Sequence, residues 1–162
     1  METKIIKITE KIKRILTERG LTLSVAESCT GGLISHLITS VPGASAFLRA
    51  GIIAYSREAK EDILAVSVKT IDTFGMVSGE TAAEMAEKVR LLTKTDYSVS
   101  SSGNLGPDVL EDKEKGLVYL AACRDEKTII KRLTLKGNRA ENKEAASLAA
   151  LELLVKLVEE ET

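Results

Sequence analysis

Residues 3 to 19 carry Ile5, Ile6, Ile8, Ile12, Ile15 and Leu16 among lysines, arginines and glutamates at helical spacing, and Gly20 closes the segment. The run 21–26 that follows is uncharged and predicts a buried strand. An amphipathic stretch over 31–40 predicts a helix, stopped by Pro42-Gly43. Residues 44–48 read as a short helical turn and 50–55 as a second strand. Ser56 is placed to cap a helix over 57–64, and 70–74 with Gly75 behind it predicts another short helix. Ser78 then reads as the N-cap of a helix over 79–93, with Ala82, Ala83, Met85, Ala86, Val89 and Leu92 facing inward. Residues 97–101 predict a third strand. Two alternating runs, 117–123 and 128–135, are separated by polar residues 124–127 and predict a hairpin. A helix rich in Ala and Leu spans 138–159.

The resulting order, α, β, α, β, α, α, β, β, β, α, predicts an α/β fold. Helices cover both faces of a mixed, mostly parallel sheet of about five strands, and the last hairpin supplies the antiparallel pair. No internal repeat or low-complexity tract interrupts the chain, so residues 1–162 are expected to form one domain. Residues 108–115 read as a charged, mobile loop.

Composition narrows this picture. Apolar residues make up 44% and aromatics only 3%, so the core must be aliphatic. The 23 basic and 24 acidic residues leave a net charge of −1, which argues against a nucleic-acid-binding module. No apolar run has membrane-spanning length and no signal-peptide pattern opens the chain, so no membrane partner and a cytoplasmic location are expected. Cys29 and Cys123 are the only cysteines and His36 the only histidine, which supplies neither a zinc site nor a disulfide framework. No metal or cofactor is therefore expected. Any serine-hydrolase chemistry must use His36 or proceed without histidine.

Three polar stretches follow predicted strands: Glu27–Gly32, Tyr55–Lys60 and Ser100–Pro107. Each alone reads as an ordinary turn. If the strands are parallel neighbours, all three meet at one sheet edge, where α/β proteins bind ligands. Tyr55 and Lys60 offer a phenol and an amine able to share a proton, and a desolvated lysine can serve as a general base. Ser45, in the turn before the second strand, is placed to reach back to them as nucleophile. Ser28 is the rival nucleophile. Cys29 is a third, its thiolate favoured by a helix start, unless it is simply a small buried hydrophobe. His36 falls on a helix as an exposed residue. Glu27 either binds ligand hydroxyls or caps the helix after it. Arg139 either holds a phosphate through paired hydrogen bonds or is a solvated helix-terminal charge.

Beyond these readings, the chain resembles the C-terminal domain family of the competence/damage-inducible protein CinA. The stand-alone form of that domain is a nicotinamide-nucleotide amidohydrolase. The likeness runs through Ala26-Glu-Ser-Cys-Thr-Gly-Gly32, Pro42-Gly43-Ala-Ser45-Ala46-Phe47 and Tyr55-Ser56-x-Glu58-Ala59-Lys60. It continues in Gly75-Met-Val77-Ser78-x-Glu80, Ser102-Gly103-x-x-Gly106-Pro107 and Gly137-x-Arg139. The larger members carry a further N-terminal domain. The resemblance implies a three-layer α/β/α sandwich, an oligomer such as a dimer, and hydrolysis of the carboxamide of nicotinamide mononucleotide to nicotinate mononucleotide and ammonia. It implies a catalytic set of Ser45, Tyr55 and Lys60, with backbone N–H groups of a glycine-containing turn stabilising the oxyanion. Glu27, Ser28, Thr30, Gly31 and Gly32 would bind the ribose phosphate, with Gly103 and Gly106 shaping the opposite wall and Arg139 beside them. The chain departs from the family in Asn104-Leu105 and in Asp108–Lys115, where glycines give way to charged residues. Lost glycines restrict close backbone approach, and carboxylates facing the pocket would repel a phosphate. A non-catalytic nucleotide sensor and a hydrolase of another small amide are the alternative readings.

Overall fold

The computed structural model describes residues 1–161. Five strands form one sheet: β1 (Leu23–Glu27), β2 (Leu48–Ile53), β3 (Tyr97–Gly103), β4 (Leu117–Arg124) and β5 (Lys127–Thr134), in the order β2-β1-β3-β4-β5. β1 runs parallel to both β2 and β3, while β4 and β5 add antiparallel pairs. The expected mixed α/β sheet is thus present, its parallel part confined to three strands.

Helices α1 (Glu2–Arg19), α2 (Leu33–Thr39) and α6 (Arg139–Glu160) pack together over one face of the sheet. Helices α3 (Arg57–Asp62), α4 (Val68–Phe74) and α5 (Gly79–Thr93) lie on the other. Three helices separate β2 from β3, over the three stretches predicted there, one more than the summarised order counts. Alternation along the central strands assigns the two cores. Leu23, Val25, Tyr97 and Val99 face α1, α2 and α6 in a large aliphatic cluster. Ala26 turns to the opposite side, with Ala54, Leu64, Ile71 and Met85.

Serines line the α5 side of β3. Ser98, Ser100 and Ser102 donate to the carbonyls of Ala86, Ala82 and Met76 at 2.5, 2.5 and 2.6 Å. These bonds satisfy buried hydroxyls and let the alanines of α5 sit close to the sheet. The predicted caps Ser56 and Ser78 are in place, accepting from Ala59 N and Thr81 N, while Asn138, expected as the first residue of the last helix, is instead its N-cap and forms a capping box with Glu141.

The segment expected to be mobile is tied down. Asn104 exchanges hydrogen bonds with Leu110, its Oδ1 accepting from Leu110 N at 3.0 Å and its Nδ2 donating to Leu110 O at 3.2 Å. Glu111 accepts from the amides of Met76 and Val77 at 2.7 and 3.0 Å, and Lys113 donates to the carbonyls of Phe74 and Val77. Burial alone would raise the Glu111 pKa, but these amides and Lys113 hold it below the ordinary carboxylate value. A charged loop need not be loose when its charges find backbone partners. Among the described residues, no helix is long and apolar enough to cross a membrane.

Candidate functional site

The carboxyl ends of β1, β2 and β3 meet as expected, and a tight turn follows β1. Gly31 N donates to Ser28 O at 3.0 Å, and Gly31 and Gly32 take φ of 56° and 101°, a conformation that side chains disfavour. Beneath the turn lies Glu27, fully buried. Its carboxylate accepts from the amides of Gly32, Ile34 and Ser35 and from the hydroxyls of Thr30 and Ser35, at 2.6 to 3.2 Å. Five donors and the start of α2 hold the negative charge in place.

Glu27 and Thr30, expected as ligand contacts, spend their side-chain hydrogen bonds inside the turn. The Thr30 hydroxyl, fully buried, is shared between Glu27 and the Ser101 hydroxyl at 2.6 and 2.7 Å. The amides of Gly31 and Gly32 are likewise engaged within the turn. These residues build the turn rather than a phosphate cradle. Among the described residues, the backbone amides of Cys29 and Thr30 donate to no other residue.

Alternation along β1 sends Glu27 toward α2 and Ser28 toward α3. There Lys60 is 1% exposed, and its Nζ donates to Ser28 Oγ at 2.8 Å, Ala54 O at 2.8 Å and Tyr55 O at 3.0 Å. Three acceptors match the three donors of an ammonium. None of them is an anion, so desolvation dominates and lowers the Lys60 pKa from its ordinary 10.5 to about 8. When Lys60 is neutral, two N–H groups suffice for the carbonyls and the lone pair is left to face the serine hydroxyl.

Ser45 is not brought to this group. It sits exposed in a single 3₁₀ turn (Ala44–Ala46) before β2, whereas Tyr55 and Lys60 follow that strand. A six-residue strand separates its ends by roughly 20 Å. The phenol of Tyr55 is also displaced from the expected role. It is the Tyr55 carbonyl that meets Lys60, while the ring is 57% exposed and its hydroxyl accepts from Arg139 at 3.2 Å. Cys29, buried beside Ser28, has its pKa pushed up to about 12, chiefly by desolvation, and is a neutral thiol rather than a poised thiolate. His36 is exposed on α2 and takes no part.

A cavity of about 480 Å³ opens over Ser28 and Cys29. Tyr55, Arg139 and Gly103 to Leu110 also line it. At Gly103 a side chain would meet the Leu117 carbonyl at 2.6 Å, so the glycine is needed for close strand packing as well as for the wall. Arg139 donates to Gly106 O at 2.8 Å and to the Tyr55 hydroxyl, which links these two residues. Asp108, from the segment that departs from the family pattern, also lines the cavity. Among the described residues, no cluster of His, Cys, Asp and Glu is arranged to hold a metal.

An α/β/α sandwich with a buried lysine on a serine at the carboxyl edge of its sheet is the class of protein defined here. The chain belongs to the CinA C-terminal domain family, which it matches over residues 5–158. It is 44% identical over 154 residues to a relative from Caldanaerobacter subterraneus subsp. tengcongensis named as a competence-damage inducible protein. That match covers 94% of this chain and 37% of the relative. The chain thus spans little more than a third of the curated relatives it matches. The crystal structure of the competence/damage inducible protein CihA of Agrobacterium tumefaciens superposes with a TM-score of 0.91 at 34% identity, covering 95% of each chain. A CinA superfamily protein of Escherichia coli gives 0.92 at 28% identity, covering 97% of this chain and 92% of that one.

Proposed function

We propose that this domain is a serine–lysine amidohydrolase that converts nicotinamide mononucleotide to nicotinate mononucleotide and ammonia. The observation that carries the reading is the buried 2.8 Å contact between Lys60 Nζ and Ser28 Oγ, with Ser28 lining the cavity. Family membership supplies the substrate expectation. The geometry favours Ser28 over Ser45 as the nucleophile.

Neutral Lys60 accepts the Ser28 proton as Oγ attacks the carboxamide carbon. The backbone amides of Cys29 and Thr30, which donate to no other residue among those described, would receive the oxyanion. Lys60, now an ammonium, protonates the departing nitrogen, and ammonia leaves an acyl-Ser28 ester. Water then attacks the ester and gives a proton to Lys60, which returns it to Ser28 Oγ as the carboxylic acid leaves and loses its own proton to solvent. The Ala54 and Tyr55 carbonyls hold the amine in line throughout. Histidine is not needed at any step.

Asp108 in the cavity wall favours one second reading, hydrolysis of a small amide with less negative charge. Ammonia release measured across a panel of amides decides between them. Turnover greatest with nicotinamide mononucleotide, abolished in Ser28→Ala, is the expected result. Tight nucleotide binding without turnover of any amide would overturn the enzymatic reading in favour of a sensor.

A further inference from the structure

β3 and β4 are antiparallel neighbours, a pair that a two-residue turn suffices to join. Residues 104–116 join them instead, and Asn104 to Leu110 line the cavity. A loop of this length without strand or helix is uncommon in a compact domain and more often serves a site than a plain connection. Its share of the lining is largely apolar, through Leu105, Pro107, Val109 and Leu110, and the last two are exposed. Leu110 is held from within. Asn104, itself buried, accepts from its amide and donates to its carbonyl.

The residues after Leu110 reach to a different part of the molecule. Glu111 takes the amides of Met76 and Val77. Lys113 Nζ donates to the Phe74 carbonyl at 2.8 Å, the Val77 carbonyl at 2.6 Å and Glu111 Oε1 at 3.2 Å. One carboxylate and one ammonium thus pair with both the donors and the acceptors of the turn between α4 and α5. Gly75 leaves room for them. A methyl group in place of a hydrogen there would stand 2.6 and 2.7 Å from the two Glu111 oxygens and 2.7 Å from Lys113 Nζ. Glu111 and Asp112 take φ of 60° and 53°, the left-handed region that residues with side chains keep only where their surroundings hold them. Among the described residues, neither Glu111 nor Lys113 is hydrogen-bonded to Ser28 or Lys60.

We propose that Glu111 and Lys113 are positioning residues for the substrate: the clamp they form fixes Val109 and Leu110 as an apolar wall and thereby sets how tightly the cavity takes the ring of its amide substrate. A wall in place only part of the time weakens apparent affinity by that fraction. It leaves the attack by Ser28 unchanged once the substrate is held. The inference rests on the amidohydrolase reading for its substrate, but not for the measurement of the wall itself.

The experiment compares the full chain with Glu111→Ala, Lys113→Met, Leu110→Ala and the double variant Leu110→Ala/Glu111→Ala. With nicotinamide mononucleotide, KM in Glu111→Ala is expected to rise about tenfold, as for a wall in place about a tenth of the time, with kcat within about twofold of the wild type. Lys113→Met should act in the same direction. Leu110→Ala should raise KM as well, and the double variant should do little more than the larger single change, because Glu111 acts through the wall. Hydrogen exchange should quicken over 104–110 in Glu111→Ala and in Lys113→Met, with the amides of β1 and α6 unchanged. Unchanged exchange over 104–110 in both variants overturns the proposal. So does a fall in kcat at constant KM, full additivity in the double variant, or faster exchange throughout the chain, which marks a general structural role. If the wild-type protein hydrolyses no amide, the amidohydrolase reading fails, and exchange over 104–110 still decides this one.

Discussion

The ammonium of Lys60 and the hydroxyl of Ser28 lie 2.8 Å apart, although 32 positions separate them in sequence. β1 and β2 are parallel neighbours, so their carboxyl ends bring the turn of one against the helix that follows the other. Replacing Ser28 by Ala removes the only hydroxyl to which Lys60 donates among the described residues. Under the proposed function, turnover of nicotinamide mononucleotide should fall by about 10⁴- to 10⁶-fold, as for nucleophiles in other serine hydrolases. Ser45→Ala alters an exposed residue at the far end of β2 and should change turnover by no more than about twofold. Steady-state kinetics on both variants check the assignment. A large loss in Ser45→Ala with normal Ser28→Ala kinetics would reverse it.

A buried lysine with a pKa lowered to about 8 makes activity depend on pH. Only the neutral amine accepts the Ser28 proton. Therefore kcat/KM should rise about tenfold per unit below pH 8 and level off above it. A flat profile between pH 6 and 9 would exclude Lys60 as the base.

The same shift has a stability consequence of defined sign. Between pH 8 and 10.5 the unfolded chain holds a proton on Lys60 that the native chain has lost. Unfolding free energy gains a positive slope there, at most about 1.4 kcal/mol per pH unit from this one group. The charging penalty is present in full below pH 8 and disappears as pH rises to 10.5. Denaturant titrations at several pH values should show this slope in the wild type and its loss in Lys60→Met. Equal slopes in both proteins would contradict the lowered pKa.

Much of this architecture is legible in the sequence because it rests on local rules. Ser56 and Ser78 stand immediately before helical patterns and cap them. The runs around Val99 and Leu120 are apolar or small enough to be buried in the middle of the sheet. The site was legible as a meeting of three loops, but not as a set of pairs. The misplaced Ser45 had a visible warning: the sequence put a whole strand between it and Tyr55, and a strand carries its two flanks to opposite edges. Glu27 was harder. Period-2 alternation puts it on the face of Leu23 and Val25, but only the entry angle of α2 aims five donors at its carboxylate. Tyr55 misled for another reason. A strand-end tyrosine suggests its phenol, and no sequence rule signals that its carbonyl is the working group.

Glu27 is a positioning residue whose loss should be felt twice. In Glu27→Gln an NH₂ group replaces one oxygen and faces amides that need an acceptor, at Ile34 or at Ser35. Leaving such a buried donor unpaired costs about 1–3 kcal/mol. The turn that carries Ser28 then loosens, so kcat should drop while Kd for nicotinate mononucleotide changes less. Thermal unfolding and kinetics on the same preparation check both effects. Full stability with normal kcat would show that the carboxylate does not organise the turn.

Cys29 offers a direct test of which side chain is nucleophilic, because thiols report their ionisation through alkylation. Its pKa, pushed up to about 12 by burial, leaves almost no thiolate at pH 8, and the side chain is only 6% exposed. Cys123, the other free cysteine, is fully buried. Native protein treated with iodoacetamide at pH 8 should therefore remain unmodified by mass, whereas protein unfolded in urea should gain one adduct on each of the two cysteines. The Lys60 ammonium draws the thiol pKa down slightly, but desolvation outweighs it. Rapid native labelling of Cys29, with loss of turnover in step, would require a thiolate at the cavity floor. Chemistry would then pass from Ser28 to its neighbour. Protection of Cys29 in the folded state, joined to loss of activity in Ser28→Ala, leaves the hydroxyl as the attacking group.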